Sequence, residues 1–238
     1  SSMVVYGGET SKPYQGLKEG RLIRLQKNDI TTTASDFKEH VDEVGAQYVT
    51  GATISLGQQY ISTTIAGVYP NHNKIDKTTI LYGRFINDID QKEKRKVLVL
   101  SNKQAKELLP NDYPSLIGRY VDVGAFSFKV IGIYKENENG QANAFSSYSA
   151  IKSIFGANTD DAGRIEFTFH GLPTEQANED FEKEYRQRLN ANHQAHPEDE
   201  SAIWIWNRFT QSLQMETGIG IIRTALWVVG LFTLLSGI

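Results

Sequence analysis

Five histidines, His40, His72, His170, His193 and His196, are the side chains of this 238-residue sequence best suited to bind a metal or move a proton near neutral pH. His193 and His196 stand three apart, a spacing that puts two imidazoles on one helical face where they could share a metal ion. No carboxylate occupies the glutamate position of a His-Glu-x-x-His motif, and Pro197 comes directly after His196. The pair therefore reads as an exposed helix end, and no metal ligand is assigned. His40 and His170 are isolated in sequence and are expected at the surface or at a core edge. Nucleophilic chemistry fares no better. The absence of cysteine excludes disulfides and thiolate metal sites, there is no Gly-x-Ser-x-Gly, and no serine or aspartate pairs with a histidine at a recognisable spacing. The glycine clusters near Gly7-Gly8 and Gly218-x-Gly220 lack the lysine of a phosphate loop. Glu179-Asp180, and Glu198 with Glu200, read as solvated charge. No catalytic residue, cofactor-binding residue or metal ligand is predicted, and any chemistry is expected to lie elsewhere. Trp204 and Trp206, two apart on one strand face, fit an aromatic clamp for sugar or peptide, or more simply a packing pair.

Composition narrows the field further. Lys and Arg total 25 against 28 Asp and Glu, a net charge of −3, so no basic excess points to nucleic acid. Hydrophobic residues make up 39% and charged residues 22%, as in an ordinary globular chain long enough for one large domain or two small ones.

The elements that would position these side chains can be read from periodicity. Residues 1–20 are rich in Gly, Ser and Lys around Pro13 and read as an irregular lead-in. Residues 21–27 alternate Leu and Ile with polar residues, as a strand does. A helix is expected over 30–45: a Thr/Ser cap comes before Asp36, the residues Phe37, Val41 and Val44 share one face, and Gly45 is its stop. Residues 47–55 and 58–69 read as a hairpin joined around Leu56–Gln58. A loop after Pro70, a segment at 79–88, a strand at 97–101 and a short helix ended by Pro110 come next. Residues 119–134 form the clearest hairpin, with a Gly124-Ala125 turn and Phe126, Phe128, Val130 and Tyr134 on one face. A polar loop at 135–143 precedes a short helix closed by Gly156. A strand at 164–171 leads to a helix capped by Thr174, whose Ala177, Phe181, Tyr185 and Leu189 recur every four residues. A strand at 201–208 ends the soluble part.

The chain finishes on its most apolar stretch. Residues 219–238 carry one charge, Arg223, and there is none after Thr224. About twenty such residues match the ~30 Å hydrocarbon core of a bilayer. A helix apolar on every side is either buried in protein or placed in lipid. Arg223 and Trp227 at the start of the run suit interfacial anchors, and Gly230 and Gly237 suit a membrane helix better than a soluble one. The lipid reading is preferred, with the run taken as the start of a span. One helix from about Phe209 onward would measure about 45 Å.

Several stretches together carry a resemblance: Gly83-Arg84 ahead of a polar turn, the strand containing Val97 and Leu100, the helix with Ala105 and Leu108, the turn Ile117-Gly118-Arg119, and the hairpin ending in Val130 to Ile133. In this order they resemble the extracytoplasmic core domain of MacB- and FtsX-like permeases of ABC transporters. The opening residues are similar to those of Bacteroidetes-type members. The order of elements read above, strand–helix–strand near 21–55 and again near 164–206, predicts an α+β fold in which two such units, 1–77 and 157–215, form one α/β porter-like lobe. A β-rich lobe, 78–156, is inserted, and 216–238 begin a transmembrane helix. The resemblance implies a domain on the periplasmic side of a bacterial inner membrane that passes ATP-driven motion outward. Its partners would be the membrane, an ABC ATPase subunit or domain that holds ATP and Mg, a second permease copy, and a periplasmic adaptor or cargo protein. Under it Gly83, Arg84, Gly118 and Arg119 are structural. Loop residues Lys135, Glu136, Asn137, Glu138 and Asn139, with Trp204 and Trp206, are the candidate partner contacts. The competing reading is a membrane-anchored extracytoplasmic ligand-binding or sensor domain, its pocket lined by the two tryptophans.

Overall fold

The computed structural model describes residues 1–138 and 142–237. The first element is already a strand: β1, Ser2–Gly7, lies between two others with Met3, Val4 and Val5 buried. The expected irregular lead-in is thus corrected at its start, where three apolar residues outweigh the Gly- and Ser-rich stretch behind them. The expected strand at 21–27 is absent. Ile23 and Leu25 are buried in alternation, as its pattern required. Their backbone bonds go singly to Gly8 and Ala162, however, instead of into a ladder. Alternating burial is a property of extended chain, with or without pairing.

Helix α1, Lys27–Asp36, stops nine residues before Gly45. Val41 and Val44 belong instead to β2, Val41–Leu56, whose first half is drawn into pairing with β9, Arg164–Phe169. They still reach the core that the helix pattern pointed to, because Phe37, Val41 and Val44 all pack in one cluster. The hairpin of β2 with β3, Gln59–Val68, forms as expected, in unbroken register from Gln47–Val68 to Leu56–Gln59. A short helix α2, His72–Ile75, lies in the stretch read as loop.

The middle of the chain supplies β4 (Ile80–Gly83), α3 (Asp88–Lys92), β5 (Val97–Ser101), α4 (Asn102–Leu108), β6 (Tyr120–Val123), β7 (Phe126–Tyr134), β8 (Ala144–Ser147) and α5 (Tyr148–Phe155). After β9 come α6, Glu175–Asn192, then β10, Ile203–Asn207, and α7, Arg208–Ser236. Thr174 caps α6 as expected, accepting the Ala177 amide at 3.1 Å. All ten strands join one mixed sheet in the order β10-β1-β9-β2-β3-β8-β5-β7-β4, with β6 bridging β2 and β7.

The sheet serves more than one core. Under β10-β1-β9-β2, helices α1 and α6 bury Phe167, Phe181, Tyr185 and Leu189, which makes the strand–helix–strand units β1-α1-β2 and β9-α6-β10. Under the remaining strands, α4 and α5 cover a second core around Leu98, Leu100, Phe128 and Ile151. Ile54, Ile61 and Ile65 also pack there, although they fall in the segment 1–77. A third cluster on the other face holds Val99, Ile131, Tyr134 and Phe145.

A one-residue slip in β7 decides which face each side chain takes: Leu98 pairs with Val130, but Val99 pairs with Gly132. Phe128, Val130 and Ile133 therefore face the second core, while Ile131 and Tyr134 face the third. The single face expected for Phe126, Phe128, Val130 and Tyr134 is broken by this bulge, and Phe126 is left exposed.

The bulge coincides with a crossing of two backbones. A Cβ on Gly83 would lie 2.1 Å from the Ile131 carbonyl oxygen, and one on Gly132 would lie 2.1 Å from that of Arg84. Gly83 also has φ +69°. Arg84 then forks onto the fully buried Asp90 at 2.7 and 3.2 Å, which explains the Gly-Arg pair as structure. Gly118 has φ +88° but open space around it, and exposed Arg119 comes after it in the turn. Gly83→Ala is expected to cost at least about 2 kcal/mol, and Gly118→Ala only the left-handed backbone penalty of about 1 kcal/mol. Denaturant unfolding of the two variants checks that order.

Asp199 ties the first loop to the turn before β10. Its carboxylate accepts from the Ser11 hydroxyl and amide, both at 2.8 Å, and from the amides of Lys12 and Ser201. Burial alone would raise this carboxyl; the bonds from Ser11, Ser201 and Lys12 outweigh it and hold the group below the usual aspartate range. A depressed carboxyl stabilises the fold above its unfolded value, and that stability is lost as pH falls through the folded one. Thermal stability should therefore decline on the acid side of about pH 4, with a shallower slope in Asp199→Asn.

Candidate functional site at the root of the apolar helix

Helix α7 grows directly out of β10, and its first residues carry its attachment to the domain. Asn207 caps it, its side-chain oxygen accepting from the amides of Phe209 at 3.0 Å and Thr210 at 3.3 Å. The same side chain donates through Nδ2 to Asn178 Oδ1 at 3.0 Å. Asn178, fully buried in α6, donates in turn to the carbonyls of Leu172 and Thr174. Glu182 lies close by; burial raises its carboxyl above the usual range, against the lowering effect of Asn207 and Arg186. Phe209 packs edge-on against Phe169.

Arg208 fastens the root on the other side. Its guanidinium lies over the Trp206 ring, 5.3 Å from the centroid, and pairs with Asp76 at 3.2 Å, just beyond α2. Helix α2 is itself locked to the sheet. His72 donates through Nδ1 to Glu166 Oε1 at 2.6 Å, with both side chains almost wholly buried, and Gln47 donates to the other Glu166 oxygen. Asn71 donates to Glu43 and to the Val44 carbonyl. The His72 ring also packs on Phe85 and Phe145 of the third cluster. One continuous path therefore leads from the helix root through Asp76 and α2 to the core of β9, to β8 and to the segment after β4.

The structure places each of the remaining predicted positions. Arg223, Trp227, Gly230 and Gly237 lie on α7 or its C-terminal cap, all exposed, with Trp227 at 79%. The helix is long and apolar enough to cross a membrane, with a mean hydropathy of 1.9 in its most apolar stretch and none of that stretch buried. Lys135, Glu136, Asn137 and Glu138 come after β7; Glu136 accepts from Ser101 at 2.9 Å, and its amide donates to Asn102 at 3.0 Å. Asn139 lies outside the described residues. Asp76 lines both the hollow beside Lys135, Glu136 and Asn137 and the one beside Trp206 and Arg208, so the structure brings that loop close to Trp206. Trp204 and Trp206 are exposed on the open face of the sheet and are not packed into a core.

The histidines group differently from their sequence spacing. His193 is no exposed helix end: it donates to the buried Asp29 at 2.7 Å. His196 turns to the Glu198 amide. His40 and His170, far apart in sequence, are neighbours, with His170 bound to Asp42. Among the described residues no group of His, Asp or Glu is arranged to hold a metal ion. His72, with no motif around it, is invisible to sequence reasoning; its only signal is a histidine beside a strand end.

A mixed sheet with an apolar helix leaving its edge strand defines the class: a globular α+β domain carried on a helix long and apolar enough to cross a membrane. Residues 1–184 match the model of the MacB-like periplasmic core domain, and the chain belongs to that family. The fold is similar to the periplasmic region of MacB from Actinobacillus actinomycetemcomitans, with a TM-score of 0.69, 18% identity, and 90% of this chain and 92% of that one covered. It is also similar to the extracellular domain of the noncanonic ABC-type transporter YknZ from Gram-positive bacteria, with a TM-score of 0.68, 20% identity, and 87% and 100% covered. In sequence it is 23% identical over 155 residues to the macrolide export ATP-binding/permease protein MacB of Bdellovibrio bacteriovorus, covering 63% of this chain and 23% of that protein. The protein of the same name from Campylobacter jejuni is 28% identical over 127 residues, 53% of this chain and 19% of that one. The chain thus spans about a quarter of the curated relatives it matches.

The path through α2 makes a measurable claim. His72→Ala removes one of the two side-chain donors to the buried Glu166 carboxyl, at an expected cost of about 1–3 kcal/mol. Replacing both, His72→Phe with Glu166→Leu, should recover part of that loss. The half-exposed pair of Arg208 and Asp76 should contribute at most about 1 kcal/mol. Denaturant unfolding of the single and double variants tests this order.

Proposed function

We propose that this domain is the periplasmic part of an ABC transporter permease and transmits ATP-driven conformational change from the membrane to extracytoplasmic partners or cargo. The observation that carries the reading is the joint between α7 and the sheet. A helix of 29 residues, about 43 Å long, enters the domain as the direct continuation of β10. Its root is bonded on one side to α6 and on the other, through Asp76, to α2. Displacement of the helix would be delivered to a sheet that is continuous across both lobes, so the domain would move as one body.

On this reading α7 crosses the bacterial inner membrane, with Arg223 and Trp227 at its interface, and the domain lies in the periplasm. ATP and Mg act in a nucleotide-binding partner, fused or separate, and a second permease copy completes the transporter. Efflux, lipoprotein release and cell-envelope regulation are each compatible with this architecture.

The test uses the full-length permease with its ATPase, spin-labelled at Ser127 in the inserted lobe and Lys183 on α6. ATP binding should change the distances between labels on the two copies while the 127-to-183 distance within one copy stays fixed. Unchanged distances between copies would overturn the lever.

A further inference from the structure

The sheet face opposite α1 and α6 is only partly covered by α2, and it leaves an aromatic strip at the edge. Trp204 and Trp206 project from β10 beside their partners Tyr6 and Val4 on β1. Trp204 is 63% exposed and Trp206 41%, yet neither is free. Trp204 donates through its indole nitrogen to the Ser201 carbonyl at 3.0 Å, and its ring lies where a Cβ on Gly8 would come within 2.4 Å. Trp206 is held under Arg208, which is itself pinned by Asp76. Two large indoles are thus fixed in place and presented to solvent, so a partner binding them would lose little further side-chain freedom.

The strip continues as a trough. Beside Trp206 lies a hollow of about 160 Å³, and a second, of about 250 Å³, reaches Arg24 and Tyr48; the two share Tyr6, Gln47 and Arg164. Together they cross β10, β1, β9 and β2, roughly 14 Å at the usual strand spacing, the span of four or five extended residues. Charge along it is unequal. Arg164 lies over the Tyr6 ring at 5.0 Å, and neither it nor Arg24 makes an ion pair among the described residues. Of the two carboxylates at the ends, Asp76 is taken by Arg208, and Asp161 accepts from the Gly163 amide.

We infer that this trough docks an extended acidic segment of a partner protein, its carboxylates at Arg164 and Arg24 and its apolar side chains on the two indoles. Trp, Tyr and Arg are the residues that most often carry interface energy, and here they are pre-set. Charge complementarity selects the occupant: a basic or neutral segment would leave both guanidiniums unpaired. The surface goes beyond force transmission and stands whether or not the domain is a lever.

The experiment uses the full chain in lipid nanodiscs and two capped, fluorescein-labelled hexapeptides, Val-Leu-Glu-Asp-Leu-Val and its Lys-Lys counterpart, read by fluorescence polarisation. The acidic peptide should bind at least about tenfold more tightly, with affinity falling as salt rises. Trp204→Ala with Trp206→Ala should weaken it by a similar factor while circular dichroism stays unchanged. Should that double variant unfold, Arg164→Glu keeps the test, because it should reverse the preference toward the Lys-Lys peptide. Equal binding of both peptides, no binding at millimolar concentration, or binding indifferent to all three positions would overturn the proposal. So would a dimer in sedimentation that Trp204→Ala dissolves, which would give the face to a second copy, or a neutral oligosaccharide displacing the acidic peptide.

Discussion

Among the described residues, α7 is held to this domain by one buried amide pair, Asn207 on Asn178, and the few residues around it. From Arg208 to Thr210 the helix is half-buried; from Ile219 onward every described residue of it is exposed. A helix so weakly packed along its length depends on its base for attachment to the domain. Asn207 meets that demand with one side chain. Its oxygen holds the first turn of α7, and its nitrogen holds α6, the longest helix of the soluble part. An unpaired amide at this depth would cost more than a bonded one contributes, so the joint is set in one geometry.

The second fastening, Arg208 to Asp76, differs in kind. Both side chains are partly exposed, and such pairs contribute little to stability. Its importance is positional: it connects the helix base to α2, and α2 is locked into the interior through His72 and Glu166. The helix base is thus held by a weak surface pair whose far side, α2, is anchored by a buried one. β8 and the segment after β4 join the same contacts because the His72 ring packs against Phe85 and Phe145.

Where local pattern and tertiary pairing agree, the sequence is readable. The Gly57-Gln58 and Gly124-Ala125 hairpins, the capped stripe of α6 and the apolar run of α7 each carry their own signal, and each stands at its expected place. Reading fails where a distant partner decides the outcome. β1 is a strand because β9 and β10 flank it, 160 to 200 residues away. α1 stops at Asp36 because β9 captures the segment from Val41 onward, and the β7 bulge answers a backbone crossing from β4. Of the candidate site, the helix and the tryptophans are legible. The joint is not, because asparagines and a lone histidine acquire meaning only from what they touch.

The two classes of feature also differ in what compels them. Gly83 and Gly132 stand where one backbone passes within contact of another, so a side chain at either position collides with the main chain itself. Such positions belong to the fold and reveal nothing of what the domain meets. Beyond their local contacts with Arg208, Ser201 and Gly8, Trp204 and Trp206 belong to neither the ladder bonds of β10 nor the α1–α6 core. Leaving an indole 63% exposed forgoes the burial of one of the largest apolar side chains, on the order of 2 kcal/mol. A domain that leaves two of them uncovered, each held by its own contact, has a surface shaped for something outside itself. The helix root is where motion would enter this protein; the aromatic face is where its choice of partner should reside.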